Sequence, residues 1–191
     1  KWNKENKRLK NEGVVKKNRP AKPQRSSLYP TKTQLALQLL QEFKENHGDI
    51  KINAILADAL YGEAYFMNEA SQIFGGVQVI SQLRENQNIE YKGKKRNLKD
   101  YFNRVNKGTT AILQVRGGKE VKATISSARL KVSAHGGKKR FVIALKYEGE
   151  SDYRYLIATN MTWRTMDIIQ AYTLRWLVEV FFEDWKLYEG W

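Results

Sequence analysis

The chain has 191 residues, about the length of one ordinary domain, and 41% of them are apolar, which is enough to bury a core. It carries 34 Lys and Arg against 20 Asp and Glu, a net charge of +14, so a polyanion is the first partner to consider. The absence of cysteine excludes disulfide scaffolds, cysteine zinc sites and thiol nucleophiles, and with two histidines any metal is expected to have carboxylate ligands, which favour Mg²⁺ or Mn²⁺.

Residues 1–30 are strongly basic, with ten Lys and Arg against two acids and all three prolines of the chain. The stretch 16–23 is typical of an extended linker. We therefore predict a basic linker at 1–30. It is either a solvated tail or a segment that lies along a nucleic-acid backbone.

The next part, 31–85, alternates between helical and strand-like patterns. The predicted elements are a helix at 31–46, a strand at 50–57, a helix at 63–73 and a strand at 77–83. This alternation predicts an α/β core with a parallel sheet. Asp58 follows the first strand directly, at the end of parallel strands where α/β proteins usually bind ligands.

The sequence composition changes at residue 86, and 86–160 is a β-rich, basic segment. Its first part, 86–140, holds fifteen Lys and Arg against three acids. Strands are predicted at 111–116, 121–133, 140–147 and 153–158, with hairpin turns at the Gly-Gly pairs 117–118 and 136–137. We predict an antiparallel β insertion that interrupts the core and does not pair into the sheet of residues 50–57.

The predicted parts of the chain also differ in net charge. The linker and 86–140 are basic, whereas 31–85 and 141–191 together hold nine bases and fifteen acids. Basic arms around an acidic, metal-binding core would suit DNA, although lysines added for solubility would give the same balance. No apolar run approaches the length of a membrane span, so no membrane partner is expected, and the lack of cysteine fits a reducing cytoplasm.

The last part of the core, 161–191, is predicted to hold one long helix at 163–191. On a helical wheel Tyr172, Arg175, Glu179 and Lys186 fall within an arc of ~60°, beside a separate apolar stripe. This stripe contains Leu174, Leu177, Val178, Phe181, Trp185 and Tyr188. Arg175 and Glu179 are also an i,i+4 pair of the kind found on solvated helix faces, so the arc alone leaves two interpretations open.

The helix sequence resembles a known signature. Its spacing matches the Y-x-x-R-x-x-x-E-x-x-x-x-x-x-K motif of bacterial cut-and-paste transposases of the insertion-sequence-four family at all four positions. The segment 57–62, Ala-Asp-Ala-Leu-Tyr-Gly, resembles that family's second-aspartate motif. The resemblance covers about 31–191 and implies an RNase H-like DDE catalytic domain with a β-rich insertion.

The resemblance also implies roles for individual residues. Asp58 and Glu179 would be catalytic and would bind two Mg²⁺ or Mn²⁺ ions, which assist phosphodiester hydrolysis and strand transfer. The expected DNA-binding residues are Tyr172, Arg175, Lys186 and, after the strand at 77–83, Arg84. Trp163 is a candidate for stacking on a flipped base, with core packing as the alternative.

The partners implied are double-stranded DNA at transposon ends and target, and a second copy in a homodimeric synaptic complex, in the bacterial cytoplasm at the nucleoid. Because the two catalytic carboxylates must bracket the ions, the Cα atoms of Asp58 and Glu179 are expected within roughly 10–12 Å of each other.

The family's first aspartate has no counterpart here. Residues 1–30 contain no Asp, and Asp49 lies too close to Asp58 and on the wrong side of its strand. We therefore expect a fragment of a longer protein with little activity alone. Two alternatives remain: a non-catalytic basic nucleic-acid-binding module or decayed transposase remnant, and another RNase H-like nuclease, which the β insertion disfavours.

Overall fold

The computed structural model describes residues 1–23, 29–115 and 118–189. The chain divides into two compact units, Lys1–Lys32 and Thr33–Trp191. The division lies close to the predicted end of the basic linker at residue 30.

The first unit contains a helix that the sequence analysis did not predict. Helix α1 (Trp2–Asn11) is followed by a 3₁₀ turn at Lys16–Asn18. The indole of Trp2 donates a hydrogen bond to the carbonyl oxygen of Pro20 (3.0 Å), so the chain folds back on itself here. The Glu5–Arg8 ion pair on one face of α1 favours the helix. Within 16–23, for which an extended linker was predicted, Lys16–Asn18 form the 3₁₀ turn and Arg19 is extended. Residues 24–28 of the predicted linker lie outside the described residues.

The helices and strands that were predicted beyond residue 30 are present in the predicted order, and residues 88–105 add two short strands and a helical segment that were not predicted. The helices are α2 (Lys32–Asn46), α3 (Ala64–Ile73), α4 (Leu98–Asp100), which continues as a π-helix at Tyr101–Val105, α5 (Thr165–Thr173) and α6 (Trp176–Tyr188). The strands are β1 (Ala54–Leu56), β2 (Gln78–Leu83), β3 (Asn88–Tyr91), β4 (Lys94–Asn97), β5 (Thr109–Val115), β6 (Lys119–Val132), β7 (Lys139–Tyr147) and β8 (Arg154–Ala158).

These strands form one sheet in the order β1-β2-β8-β7-β6-β3-β4, with β5 paired to β6 beside this path. Strands β1 and β2 are parallel, with Ile55 opposite Val79, and the other pairs are antiparallel. The predicted α/β class, with a mixed sheet and flanking helices, is confirmed.

One expectation about the insertion is wrong. Strand β8 pairs with β2, Ala158 lying opposite Ile80, so the β-rich segment continues the sheet of β1 instead of forming a sheet apart from it. The reason is burial: β2 and β8 are almost completely enclosed, and a separate insertion sheet would leave the backbone of one edge of β2 unpaired inside the protein. The antiparallel meander itself is present. Gly136 and Gly137 both have positive φ (63° and 71°) at the β6–β7 turn, whereas Gly117 lies outside the described residues.

The two faces of the sheet are covered by different helices. Along β8, Tyr155 and Ile157 face a cluster that includes α2 and α3, while Leu156 and Ala158 face a cluster that includes α5. Trp163 is partly buried against the second cluster, which supports the core-packing interpretation.

The predicted C-terminal helix is two helices, α5 and α6, separated by a turn at Leu174 and Arg175. Helix α6 contains no buried residue: Leu177 is 61% exposed and Phe181 57% exposed. The apolar stripe predicted for this helix is therefore present in sequence but lies at the surface of the described structure.

No helix within residues 1–23, 29–115 and 118–189 is long and apolar enough to cross a membrane.

Candidate active site

Asp58 lies where the chain leaves the parallel part of the sheet. After β1 the backbone N–H of Ala57 still bonds the carbonyl of Ile80 (2.9 Å), and Asp58 then caps a 3₁₀ turn at Ala59–Tyr61. Its Oδ1 accepts a hydrogen bond from the Ala59 N–H (2.7 Å), as expected for an aspartate after a strand. The side chain is exposed and its Oδ2 makes no hydrogen bond to the described residues, so one carboxylate oxygen is available to a ligand.

Two neighbours hold this turn in place, and the sequence analysis named only one of them, Gly62. The buried hydroxyl of Ser81 donates to the Asp58 carbonyl oxygen (2.8 Å) across the parallel pair. Gly62 ends the turn so close to β2 that a Cβ there would lie 2.3 Å from the Gln82 carbonyl oxygen. The pattern Asp-x-x-x-Gly after a strand is the only sequence signal for the close approach of Gly62 to β2. No sequence pattern indicated the contact of Ser81 with Asp58.

Tyr172 connects α5 to the end of β1. Its hydroxyl donates a hydrogen bond of 3.4 Å to the carbonyl oxygen of Ala57, the residue before Asp58. Burial raises the pKa of the Tyr172 phenol, the positive charge of Arg175 opposes this rise, and the negative charge of Asp58 adds to it. The phenol is therefore a neutral hydrogen-bonding group beside the aspartate at any pH near neutrality.

Arg175 and Glu179 form a partly buried ion pair with an N···O distance of 2.6 Å. The Arg175 guanidinium also lies 5.8 Å from the centre of the Tyr172 ring. Burial acts to lower the pKa of Arg175, but the hydrogen bond to Glu179 and the negative charges of Glu179 and Asp58 help to raise it overall. Arg175 therefore interacts electrostatically with both carboxylates of the predicted site.

The second oxygen of Glu179 is unusual. Glu179 Oε2 is buried and has no hydrogen-bond partner in the described part of the chain. The Glu179 side chain as a whole is 36% exposed, and its other oxygen is paired with Arg175. The Oε2 atom is therefore an acceptor that a further ligand could use.

A cavity of about 460 Å³ opens beside these residues. Its polar rim contains Asp58, Tyr61 and Arg175, and its apolar wall comes from α2, β1 and Val178 of α6. A polar rim next to an apolar wall is a common arrangement for a site that orients a ligand through a few charged groups.

The donor set suits a hard divalent cation. Across residues 1–23, 29–115 and 118–189 no three His, Cys, Asp or Glu side chains cluster closely enough to hold a metal, so Asp58 and Glu179 supply at most two ligands. The unpartnered Oε2 of Glu179 and the free Oδ2 of Asp58 are carboxylate oxygens, which Mg²⁺ and Mn²⁺ prefer. The two residues thus fit part of a metal site. That their Cα atoms lie within 10–12 Å stays a prediction.

The other predicted DNA-binding residues lie outside this cluster. Lys186 is exposed near the end of α6, about two turns beyond Glu179. Arg84 is exposed just after β2, at the edge of the sheet to which Asp58 also belongs. Neither side chain is held against Asp58, Tyr172 or Arg175 by a hydrogen bond or ion pair in the described structure.

Comparison with known proteins identifies the family. Residues 29–190 match the family model described as a transposase DDE domain, whereas a search of curated proteins finds no significant match. The matched range includes Asp58, Glu179 and every strand of the sheet. The chain therefore belongs to the transposase DDE domain family, whose RNase H-like domains are metal-dependent nucleases and strand transferases that act on DNA.

Proposed function

We propose that this chain is part of the catalytic domain of a cut-and-paste transposase of the insertion-sequence-four type, which acts on DNA at transposon ends. The observation that carries the proposal is the buried, unpartnered Oε2 of Glu179 in the same neighbourhood as Asp58. The Tyr172, Arg175, Glu179 and Lys186 spacing supports it.

In this proposal Asp58 and Glu179 are the metal ligands. Two divalent ions, when bound, would stabilise charge on the attacking and leaving oxygens of a phosphodiester. The aspartate is held rigidly, because its backbone is bound by Ser81 and its Oδ1 by Ala59. Glu179 is oriented by Arg175 through one oxygen, which leaves the other for the metal.

In this proposal Arg175 also contacts the DNA. A guanidinium has five N–H donors, so the bond to Glu179 leaves others that can reach a phosphate oxygen of the DNA strand being cut. Tyr172 positions the guanidinium, since its ring lies beside Arg175 and its hydroxyl bonds the strand end. Lys186 and Arg84 would contact DNA backbone farther along, as exposed point charges.

In this proposal the chain by itself has little catalytic turnover. Only two carboxylates of the family's three are assigned to it, and a site with two ligands holds Mg²⁺ weakly. Homodimerisation on transposon ends and nucleoid association are parts of the same proposal, resting on the family match alone.

Metal titration tests the site without requiring catalysis. We expect the chain to bind Mn²⁺, followed by electron paramagnetic resonance, and Asp58→Asn or Glu179→Gln to weaken binding at least about tenfold, or about 1.4 kcal/mol. Glu183→Gln is the matched control, because it removes the same charge from an exposed position one turn farther along α6. Equal affinities in Glu179→Gln and Glu183→Gln would contradict the assignment.

The alternative function, a non-catalytic nucleic-acid-binding module, predicts a different pattern. Without a metal role, removing the negative charge of Glu179 only reduces repulsion of phosphate, so DNA binding would strengthen while Mn²⁺ affinity stayed the same. Because both functions allow DNA binding to strengthen in Glu179→Gln, the Mn²⁺ affinity of that variant is the quantity that separates them.

A further inference from the structure

A second polar cavity lies on the face of the sheet that α3 covers. It has a volume of about 270 Å³ and is lined by Asn68, Ser71 and Gln72 of α3, Arg140 of β7, and Thr159 and Asn160 after β8. None of the described side chains lining it is acidic or a large apolar group.

Arg140 is the charged group of this cavity, and it is almost fully buried, with 6% of its surface exposed. Its Nε donates to His135 Nδ1 (3.2 Å) and its Nη2 to Asn68 Oδ1 (2.6 Å). Among the described residues it makes no ion pair with a carboxylate. Burial lowers the pKa of its guanidinium, as expected for a cation without a counter-ion.

His135 does not share this positive charge. Because Arg140 can only donate, Nδ1 of His135 is an acceptor, and Nε2 carries the proton that is donated to the Gly62 carbonyl oxygen (3.0 Å). Burial and the charge of Arg140 lower the pKa of His135 to about 4, so the ring is neutral near pH 7. The single buried charge of Arg140 is therefore held by neutral partners.

The hydroxyls of Ser71 and Thr159 donate hydrogen bonds to the Val77 carbonyl and to Gln78 Oε1, whereas the amides of the cavity keep unused donors. Asn68 Oδ1 accepts from Arg140, so its NH₂ group is free of that bond. Asn160 Oδ1 accepts from the backbone N–H of Thr162 (2.8 Å), which likewise leaves the Asn160 NH₂ group. The exposed amide of Gln72 makes no hydrogen bond to the described residues. A cation and three amide NH₂ groups thus line one cavity.

We propose that this cavity binds a phosphate group, either a phosphate of a DNA backbone or free inorganic phosphate. Donors that converge from α3, β7 and the loop after β8 match the several oxygens of a tetrahedral anion better than a planar carboxylate. A bound phosphate supplies the counter-charge that Arg140 lacks.

This site is distinct from the candidate active site. Thr159 and Asn160 are tied to the beginning of β2, since Gln78 accepts from both and the Val79 N–H donates to Thr159 Oγ1 (2.9 Å). Asp58 instead follows the end of β1, and the two cavities share no lining residue, although His135, the partner of Arg140, donates to Gly62 at the end of the turn that Asp58 begins. Phosphate binding here requires neither Asp58 nor Glu179.

The first test is titration of the 191-residue chain with inorganic phosphate, followed by calorimetry at constant ionic strength in chloride. We expect saturable binding that Gln72→Glu weakens at least tenfold, because it places a negative charge at the cavity while changing an exposed residue. Gln38→Glu, the same change on the exposed side of α2, is the control and should leave binding unchanged. Asn160→Ala, which removes one NH₂ donor, should weaken binding severalfold.

The second test separates the two sources of phosphate. With duplex DNA at fixed salt, a greater loss of affinity in Gln72→Glu than in Gln38→Glu assigns the site to the DNA backbone. Equal losses, together with lost inorganic phosphate binding, assign it to free phosphate. The proposal is overturned if Gln72→Glu and Gln38→Glu behave alike toward both ligands. The Mn²⁺ titration of Glu179→Gln is independent of all these outcomes.

Discussion

Replacing Gly62 with alanine is expected to destabilise the strand end that carries Asp58. The added Cβ would lie 2.3 Å from the Gln82 carbonyl oxygen and 3.2 Å from Ser81 Oγ, so the first contact is roughly 1 Å shorter than ordinary van der Waals distance. Both contacts belong to β2, a buried strand that cannot move freely. The turn after β1 must therefore shift, and with it the hydrogen bond between Ser81 and the Asp58 carbonyl.

Overpacking of this kind costs about 1–3 kcal/mol. For a chain of this size the melting temperature should fall by about 2–12 °C, since each kcal/mol corresponds to about 2–4 °C. Thermal unfolding followed by circular dichroism measures the change. Gly48→Ala is the control, because its Cβ would meet only the Lys44 carbonyl oxygen, at 3.3 Å. Equal melting temperatures for the two variants would refute the close-approach argument.

Three further predictions follow from the charges and buried groups. DNA affinity should fall steeply between 50 and 200 mM salt in a binding titration, because a chain with net charge +14 releases counterions on binding; indifference to salt would contradict a DNA partner. Arg175→Ala should weaken DNA binding by about 1.5–3 kcal/mol, the loss of one charge-assisted bond, whereas an unchanged affinity would limit Arg175 to orienting Glu179. Because the pKa of His135 is lowered to about 4 in the folded chain, unfolded chains bind its proton first as pH falls from about 6.5 to 4. Stability should therefore be lost over that range, by about 3 kcal/mol at most, and His135→Gln should remove this dependence in denaturant titrations at several pH values.

The sequence predicts the parts of the fold that depend on local pattern. Strands β2 and β7 and helices α2 and α3 follow from apolar periodicity and neighbouring glycines, and their observed bounds differ from the predictions by no more than a single residue. The signature spacing likewise places Tyr172, Arg175 and Glu179 in contact, as the structure shows.

Long-range pairing could not be predicted in the same way. The antiparallel pairing of β8 with β2 joins residues as far apart as Ile80 and Ala158, and nothing in either strand specifies its neighbour. The β3–β4 hairpin was missed because β4 consists of Lys94–Asn97, whose charged side chains hide the strand pattern.

The residues of the two candidate sites also differ in whether a local sequence motif indicates them. Asp58 and Glu179 were found from motifs, whereas Ser81 contacts Asp58 only because two strands are parallel and in register. The phosphate cavity has no sequence signal, because Arg140, Asn68 and Asn160 come from three separate elements. Helix α6 shows that a sequence pattern can also predict a contact that is not observed. Its amphipathic pattern predicts a buried apolar face, but the described structure leaves that face exposed.

The central claim is that Glu179 acts in DNA cleavage and does not serve merely as a surface partner of Arg175. Its most direct test is Mg²⁺-dependent cleavage of transposon-end DNA by a transposase that carries this domain, comparing Glu179→Gln with the exposed control Glu183→Gln. Both variants must first show native circular dichroism. The account predicts that Glu179→Gln abolishes cleavage while DNA binding stays intact or strengthens, and that Glu183→Gln cleaves normally. Full cleavage by Glu179→Gln would contradict it.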